Sequence, residues 1–175
     1  MNLCQIIIDS IGTSTANVFS TMLGVELANG TVSIEEGGPE PNDGVVSFIG
    51  IAGTWAGTGS LSCSPRMACR ICSQLLMTET AAVDEEVLDA VAELTNMIIG
   101  SVKTDLESHI GPLGLSIPTV VFGRNFKTRS VGNTEWMNVS FEWEGERLLV
   151  KMCLAPNQKA HAIHHGAVHN GALEI

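Results

Sequence analysis

Asp84-Glu-Glu-Val-Leu-Asp-Ala-Val-Ala-Glu93-Leu-Thr-Asn96-Met-Ile-Ile-Gly100-Ser-Val-Lys-Thr-Asp-Leu106 is the stretch on which the reading of this chain turns. At roughly 100° per residue, Val87, Val91, Leu94, Ile98 and Val102 gather on one side of a helix, the side that must face a core. Glu93, Asn96 and Gly100 fall roughly 40°, −20° and 20° around from Asp89 on the opposite side. A carboxylate and a carboxamide three residues apart on a rigid rod can enter another molecule's pocket together. The composition of this stripe is costly for a merely wet face. Asparagine is a poor helix former, and a mid-helix glycine costs about 1 kcal/mol relative to alanine. Glycine also leaves room for another backbone to approach. The plain alternative is the solvated side of an amphipathic helix.

Around this helix the chain alternates between helical and extended patterns. Leu3, Ile7, Ile11, Val18 and Met22 predict a helix over 2–23, stopped by Gly24. Strands are expected at Val32–Glu35, Val45–Ala52 and Thr58–Cys63, with a loop from Glu36 to Gly44 and a turn from Gly53 to Gly57. Ser64-Pro65 is an N-cap followed by proline at the first helical position, and opens a helix to about Met77. After the long helix, Gly111–Gly114 reads as a turn. Ile117–Gly123 reads as a strand whose Pro118 suits a start or an edge, and Arg124–Gly132 as a polar loop. Within Asn133–Trp143, Trp136, Asn138, Ser140 and Glu142 oppose Met137, Val139, Phe141 and Trp143. A hairpin turn at Glu144–Glu146 then leads to a last strand, Arg147–Ala155.

The order is helix, three strands, helix, then helix, three strands. This is an α+β fold made of two α-β-β-β halves, with the helix 65–77 between them. A six-stranded, mainly antiparallel sheet with helices packed on it buries the apolar faces. No linker separates the halves, so residues 1–155 are expected to form one domain, followed by a histidine-containing tail over 156–175.

The chain has 175 residues, is 45% hydrophobic and carries a formal net charge of −10, which disfavours phosphate backbones and anionic lipid as partners. With 5% aromatics and no tyrosine it lacks a stacking platform for single-stranded nucleic acid. No secretory leader or membrane span is read from the sequence. Five cysteines (Cys4, Cys63, Cys69, Cys72, Cys153), an odd number, fit free thiols in a reducing cytoplasm. Cys69-Arg-Ile-Cys72 has redox spacing but lies inside a helix without a second Cys/His pair, so core packing is the expectation. His161, His164, His165 and His169 could share a helical face and bind Zn²⁺ or Ni²⁺ weakly, which makes a metal-responsive protein one alternative function; a plain polar terminus is the other account of them. Arg124, Lys127 and Arg129 form the one locally basic segment, expected to be solvated.

Asp89-x-x-x-Glu93-x-x-Asn96, followed downstream by Pro118, resembles the signature of the chemotaxis phosphatase family that includes CheC, CheX and FliY. Asn17-Val-Phe-Ser-Thr-Met-Leu-Gly24, Gly59-Ser-Leu-Ser62 leading into Met67-Ala-Cys-Arg-Ile71, and Pro118-Thr-Val-Val-Phe-Gly123 also resemble CheX-type members. The resemblance covers most of 1–155. It implies a CheC-like fold and hydrolysis of the aspartyl phosphate on a CheY-type response regulator. Asn96 would orient the attacking water and Glu93 would pair with a lysine of the partner. Asp89 and Gly100 would support docking. The partner would supply Mg²⁺, and this chain no cofactor of its own. In-line placement of water on an acyl phosphate can remove several kcal/mol of barrier. The first helix offers Ser14, Asn17 and Thr21 but no glutamate in the required position, so one site is expected, as in the CheX branch. A homodimer is a further implication of the resemblance. A docking module of the same fold without catalysis is a second alternative.

Overall fold

Among the described residues three α-helices each start at a polar side chain. Asn2, Ser64 and Asp84 accept amide hydrogens from Cys4 (3.4 Å), Met67 (3.1 Å) and Val87 (3.0 Å), satisfying donors that a helix start leaves unpaired. They open α1 (Leu3–Val18), α2 (Pro65–Leu76) and α3 (Glu85–Ile110). Glu85 and Glu86 add negative charge at the positive end of the α3 dipole. The computed structural model describes residues 2–36, 40–129 and 135–157; the histidines of the tail lie outside these. Among the described residues no helix is long and apolar enough to cross a membrane.

Among the described residues seven strands form one sheet: β1 (Ala28–Glu36), β2 (Glu40–Gly53), β3 (Trp55–Cys63), β4 (Leu113–Leu115), β5 (Thr119–Thr128), β6 (Glu135–Trp143) and β7 (Glu146–Pro156). All pairings are antiparallel. The order is β1-β6-β7-β3-β2, and β4 and β5 share the outer edge of β2. Exchanging β1, β2 and β3 with β5, β6 and β7 reverses that order onto itself. The duplication expected from the element order is therefore built into the sheet.

The six expected strands are present, and β4 is a seventh. Its three residues pair with Ile51–Gly53 where a turn was expected, because the chain leaving Gly111 runs straight along the free end of β2. β5 likewise continues to Thr128, through residues expected to form a polar loop, since Phe126–Thr128 pair with Glu40–Asn42. In both places backbone pairing overrides a composition that reads as loop. Between β6 and β7, Glu144 (φ 48) and Gly145 (φ 79) make the two-residue left-handed turn that matches strand twist. The first helix ends sooner than periodicity predicts. Residues Phe19–Leu23 widen into a π-turn before Gly24 reverses the chain.

All three helices pack on one face of the sheet. Val45, Ile49, Leu61, Met137, Val139, Phe141, Leu148, Val150 and Met152 point into a core shared with Ile7, Ile11, Met67, Ile71, Leu94 and Ile98. Gly59 on β3 lets α3 seat closely, for a Cβ there would lie 2.8 Å from Ile99 Cδ1. α3 packs against both α1 and α2. It crosses α1 in antiparallel fashion, with Ser14 Oγ 3.1 Å from Ser101 Oγ and Ser10 Oγ donating to Asp105 at 2.7 Å.

Candidate active-site groove

Twenty-six residues of α3 form the support, and its apolar stripe is fully engaged: Val87, Val91, Leu94, Ile98 and Val102 are all buried. The helix cannot roll without exposing that stripe, so the opposite face is fixed in direction. Asp89, Glu93 and Asn96 are exposed on it, as their spacing predicts. They line an open groove of about 390 Å³ together with Ala92 and the segment Leu115-Ser116-Ile117-Pro118. Among the described residues none of the three polar side chains has a hydrogen bond or ion pair. Two unpaired carboxylates and a free amide thus face outward. A cation and a polar reacting group arriving from outside would find these partners uncommitted.

The far wall of the groove comes from the gap between β4 and β5. Ser116 is pinned to β2 by two bonds and braced by a third to its own neighbour. Its amide donates to Gly50 O at 2.9 Å, its hydroxyl accepts from Gly50 N at 2.8 Å, and that hydroxyl donates to Ile117 O at 2.9 Å. Gly50 permits the approach, since a Cβ there would come within 3.3 Å of Ser116 Oγ. Pro118 has no amide to continue the ladder, and β5 starts at the next residue. The sequence pointed to Pro118 but not to Leu115, Ser116 or Ile117. The available signal was a serine and a bulky apolar residue directly before a proline, a combination that leaves the strand edge.

Gly100 lies on the same helical face but is not among the lining residues. A Cβ there would meet only Leu115 Cδ1, at 4.0 Å, so packing within the chain does not require a glycine. On α1, spacing had pointed to Ser14, Asn17 and Thr21 as the matching set. The packing corrects that register. The shift that carries Gly24 onto Gly111, both of positive φ, also carries Ser14 onto Ser101 and the buried Ile7, Ile11 and Phe19 onto Leu94, Ile98 and Leu106. Under it Glu93 corresponds to Ile6 and Asn96 to Asp9. Ile6 packs against the core, and Asp9 accepts a hydrogen bond from Gln5 at 2.8 Å.

The remaining candidates stand apart from the groove. Arg124 and Lys127 are exposed on β5, and Arg129 follows it. Cys69 and Cys72 are buried and unpaired on α2. Burial pushes the Cys63 thiol up to about 12, reinforced by Cys69 and Glu146, and burial also raises the Cys69 and Cys153 thiols. Such thiols are poor nucleophiles near neutral pH. Among the described residues no group of three or more His, Cys, Asp or Glu is arranged to hold a metal.

The fold places the chain in the CheC-like class. It superposes with a TM-score of 0.78 on a CheC-like superfamily protein from Shewanella sp. PV-4, at 26% identity, covering 89% of this chain and 99% of that one. Within that class the chain belongs to the chemotaxis phosphatase CheX family, whose family model matches residues 45–142. The CheY-P phosphatase CheX of Thermotoga maritima is 32% identical over 128 residues, which span 72% of this chain and 81% of that relative. A CheX from Borrelia burgdorferi, solved in complex with CheY, BeF₃ and Mg²⁺, matches with a TM-score of 0.72 at 24% identity, covering 85% of this chain and 97% of that one.

Proposed function

We propose that this protein hydrolyses the aspartyl phosphate of a CheY-type response regulator and that the groove beside α3 is where the two meet. The observation that carries the reading is the presentation of Glu93 and Asn96. Both are exposed at one groove, within one turn of a helix locked by its core, and neither is committed elsewhere in the described chain. Family membership and the relative named as a CheY-P phosphatase support the same reaction.

In this reading the Asn96 amide accepts a hydrogen from the attacking water or donates one to it, and so holds it in line with the phosphorus. Asparagine is neutral, which suits a place already crowded with phosphate and carboxylates. The Glu93 carboxylate pairs with a lysine of the partner and sets the docking register. Asp89 and Gly100 support the approach. The water adds to phosphorus, the P–O bond to the partner's aspartate breaks, the carboxylate leaves with the electron pair, and the water's protons remain with the released inorganic phosphate. Positioning of this kind contributes through orientation and preorganised electrostatics, with no nucleophile needed from this chain. Mg²⁺ would enter on the partner; the Borrelia burgdorferi complex of CheX with CheY and BeF₃ also contains Mg²⁺. The proposal extends to a cytoplasmic location, consistent with five unpaired thiols, and to a homodimer, which sedimentation velocity tests.

The decisive experiment is phosphate release from the CheY of Thermotoga maritima, phosphorylated with acetyl phosphate. Wild-type protein is expected to accelerate release and Asn96→Ala to lose the acceleration while still binding. Saturable binding of the wild type with unchanged phosphate lifetime would instead establish a docking module.

A further inference from the structure

We infer that Ile117 is a preorganised apolar anchor for the partner, and that it sets affinity while Asn96 sets turnover. The inference rests on the proposed function above and names the second wall of the same groove as a recognition element. Ile117 is 86% exposed, among the most exposed large apolar side chains described. A single exposed isoleucine is ordinary on a protein surface. This one differs in where it stands and in how it is held.

Its position is opposite the acidic stripe, because Asp89, Glu93, Asn96 and Ile117 all line one groove. A protein that brings a lysine to Glu93 and an acyl phosphate to Asn96 must therefore cover Ile117. If its covering surface is apolar, the side chain leaves water at a gain. If that surface is polar, groups there lose hydration without replacement. The fitting partner carries an apolar depression beside a lysine and a phosphorylated carboxylate. The two unpaired carboxylates of the groove give the charge complement to that lysine.

Its support is rigid. Ser116 ties the segment to Gly50 through both backbone and hydroxyl, and the hydroxyl also donates to the Ile117 carbonyl. Pro118 fixes the backbone on the other side. A β-branched side chain has few rotamers to lose. Binding thus pays little ordering entropy at this residue, the condition under which a buried apolar contact contributes most to affinity.

The test uses the full chain and the Thermotoga maritima CheY as probe, charged with beryllofluoride and Mg²⁺ for binding and phosphorylated for turnover. Ile117→Ser removes the apolar surface without adding charge. It is expected to raise Kd and KM about tenfold and to leave kcat within about twofold of wild type. Ile117→Leu is expected to restore binding. Met77→Asn, which removes a 93% exposed apolar side chain outside the groove, is expected to bind as wild type. An unchanged Kd for Ile117→Ser, or a fall in kcat without a change in Kd, overturns the anchor while leaving the proposed reaction standing. Failure of the wild type itself to bind or turn over the probe overturns the reaction and the anchor together. A Kd for Asn96→Ala near that of wild type, with hydrolysis lost, separates the two roles.

Discussion

α1 and α3 occupy matching places in a duplicated fold, and α3 is the one that presents an exposed acid–amide pair at the groove beside Leu115–Pro118. Where α3 has Glu93 and Asn96 exposed at a groove, α1 has Ile6 turned toward the core and Asp9 bonded to its own neighbour Gln5. The difference continues in the strands. The segment matching Leu115–Pro118 is Ala28–Thr31, which is knitted to β6: Ala28 pairs with Glu142, and the Thr31 amide donates to Ser140 Oγ at 2.7 Å. In the second half Leu115 and Ser116 stay bonded to β2 at Ile51 and Gly50, and Ile117 and Pro118 interrupt the ladder and complete a groove wall. Duplication therefore supplied two scaffolds of equal architecture. The proposed site combines two departures from that common plan, the exposed acid–amide pair and the break in the ladder at Ile117 and Pro118, and the second half has both.

The strongest attack on this contrast is a transfer of chemistry between the helices. Asn96→Ala is expected to lower phosphate release by at least about 100-fold, the scale of losing a positioned group at a reacting centre. Adding Ile6→Glu and Asp9→Asn in that background recreates the pair on α1 and is expected to restore nothing, because the matching segment Ala28–Thr31 stays bonded to β6 and forms no such wall. Recovered hydrolysis in the triple variant would show that the helix alone suffices.

The second contrast concerns stability. Ser14 is 1% exposed at the point where the helices cross, and Glu93 lies in solvent. Ser14→Glu forces a carboxylate against Ser101 and is expected to cost about 3 kcal/mol in chemical denaturation. Glu93→Ser, the mirror change, is expected to leave stability unchanged and to weaken binding of the regulator. A smaller probe of the same crossing is Ser10→Ala. It removes the 2.7 Å bond to Asp105 and is expected to cost about 1 kcal/mol, since Asp105 can turn to water.

The legible parts of this molecule are those governed by local chemistry. Asn2, Ser64 and Asp84 cap where caps are needed, and the period of Val87, Val91, Leu94 and Ile98 is enough to identify the buried stripe. The exposed stripe follows as its geometric complement. What local chemistry could not reveal came from pairing at a distance. Leu113–Leu115 becomes a strand only because β2 has a free end, and Lys127 and Thr128 extend β5 only because Pro41 and Glu40 lie opposite. The groove wall shares this origin, as Ser116 is pinned by a glycine far away in sequence. The register of α1 on α3 escapes helical spacing for a related reason. Spacing alone fits Ser14 and Asn17 onto Glu93 and Asn96, but the core fits Ile7 and Ile11 onto Leu94 and Ile98, and burial outweighs spacing.

The smallest expected effect tests how the two helices leave the core. α1 ends in a widened turn at Gly24, and its forward tie joins two side chains, Ser20 Oγ donating to Glu26 at 3.0 Å ahead of β1, with no strand amide engaged by it. α3 is tied forward: Glu107 accepts the Leu113 amide at 2.9 Å and pairs with Lys103 at 2.9 Å. The Leu113 bond first, and Lys103 after it, hold the Glu107 carboxyl below its ordinary value of 4.5. A lowered value in the folded state means the ionised form is the stabilising one. Its contribution is present above pH 4.5 and is lost as the pH falls through the lower folded value. Glu107 is partly exposed, so solvent screens the effect and it should be slight. Glu107→Gln is expected to melt just below wild type at neutral pH, with the gap closing in acid. The same carboxylate anchors β4, whose last residue, Leu115, lines the groove. Faster amide exchange at Leu113 in Glu107→Gln, with exchange near Gly24 unchanged, would place the difference at the exit of α3. A gap that persists below the folded value would mean that the side chain acts through packing and not through its charge.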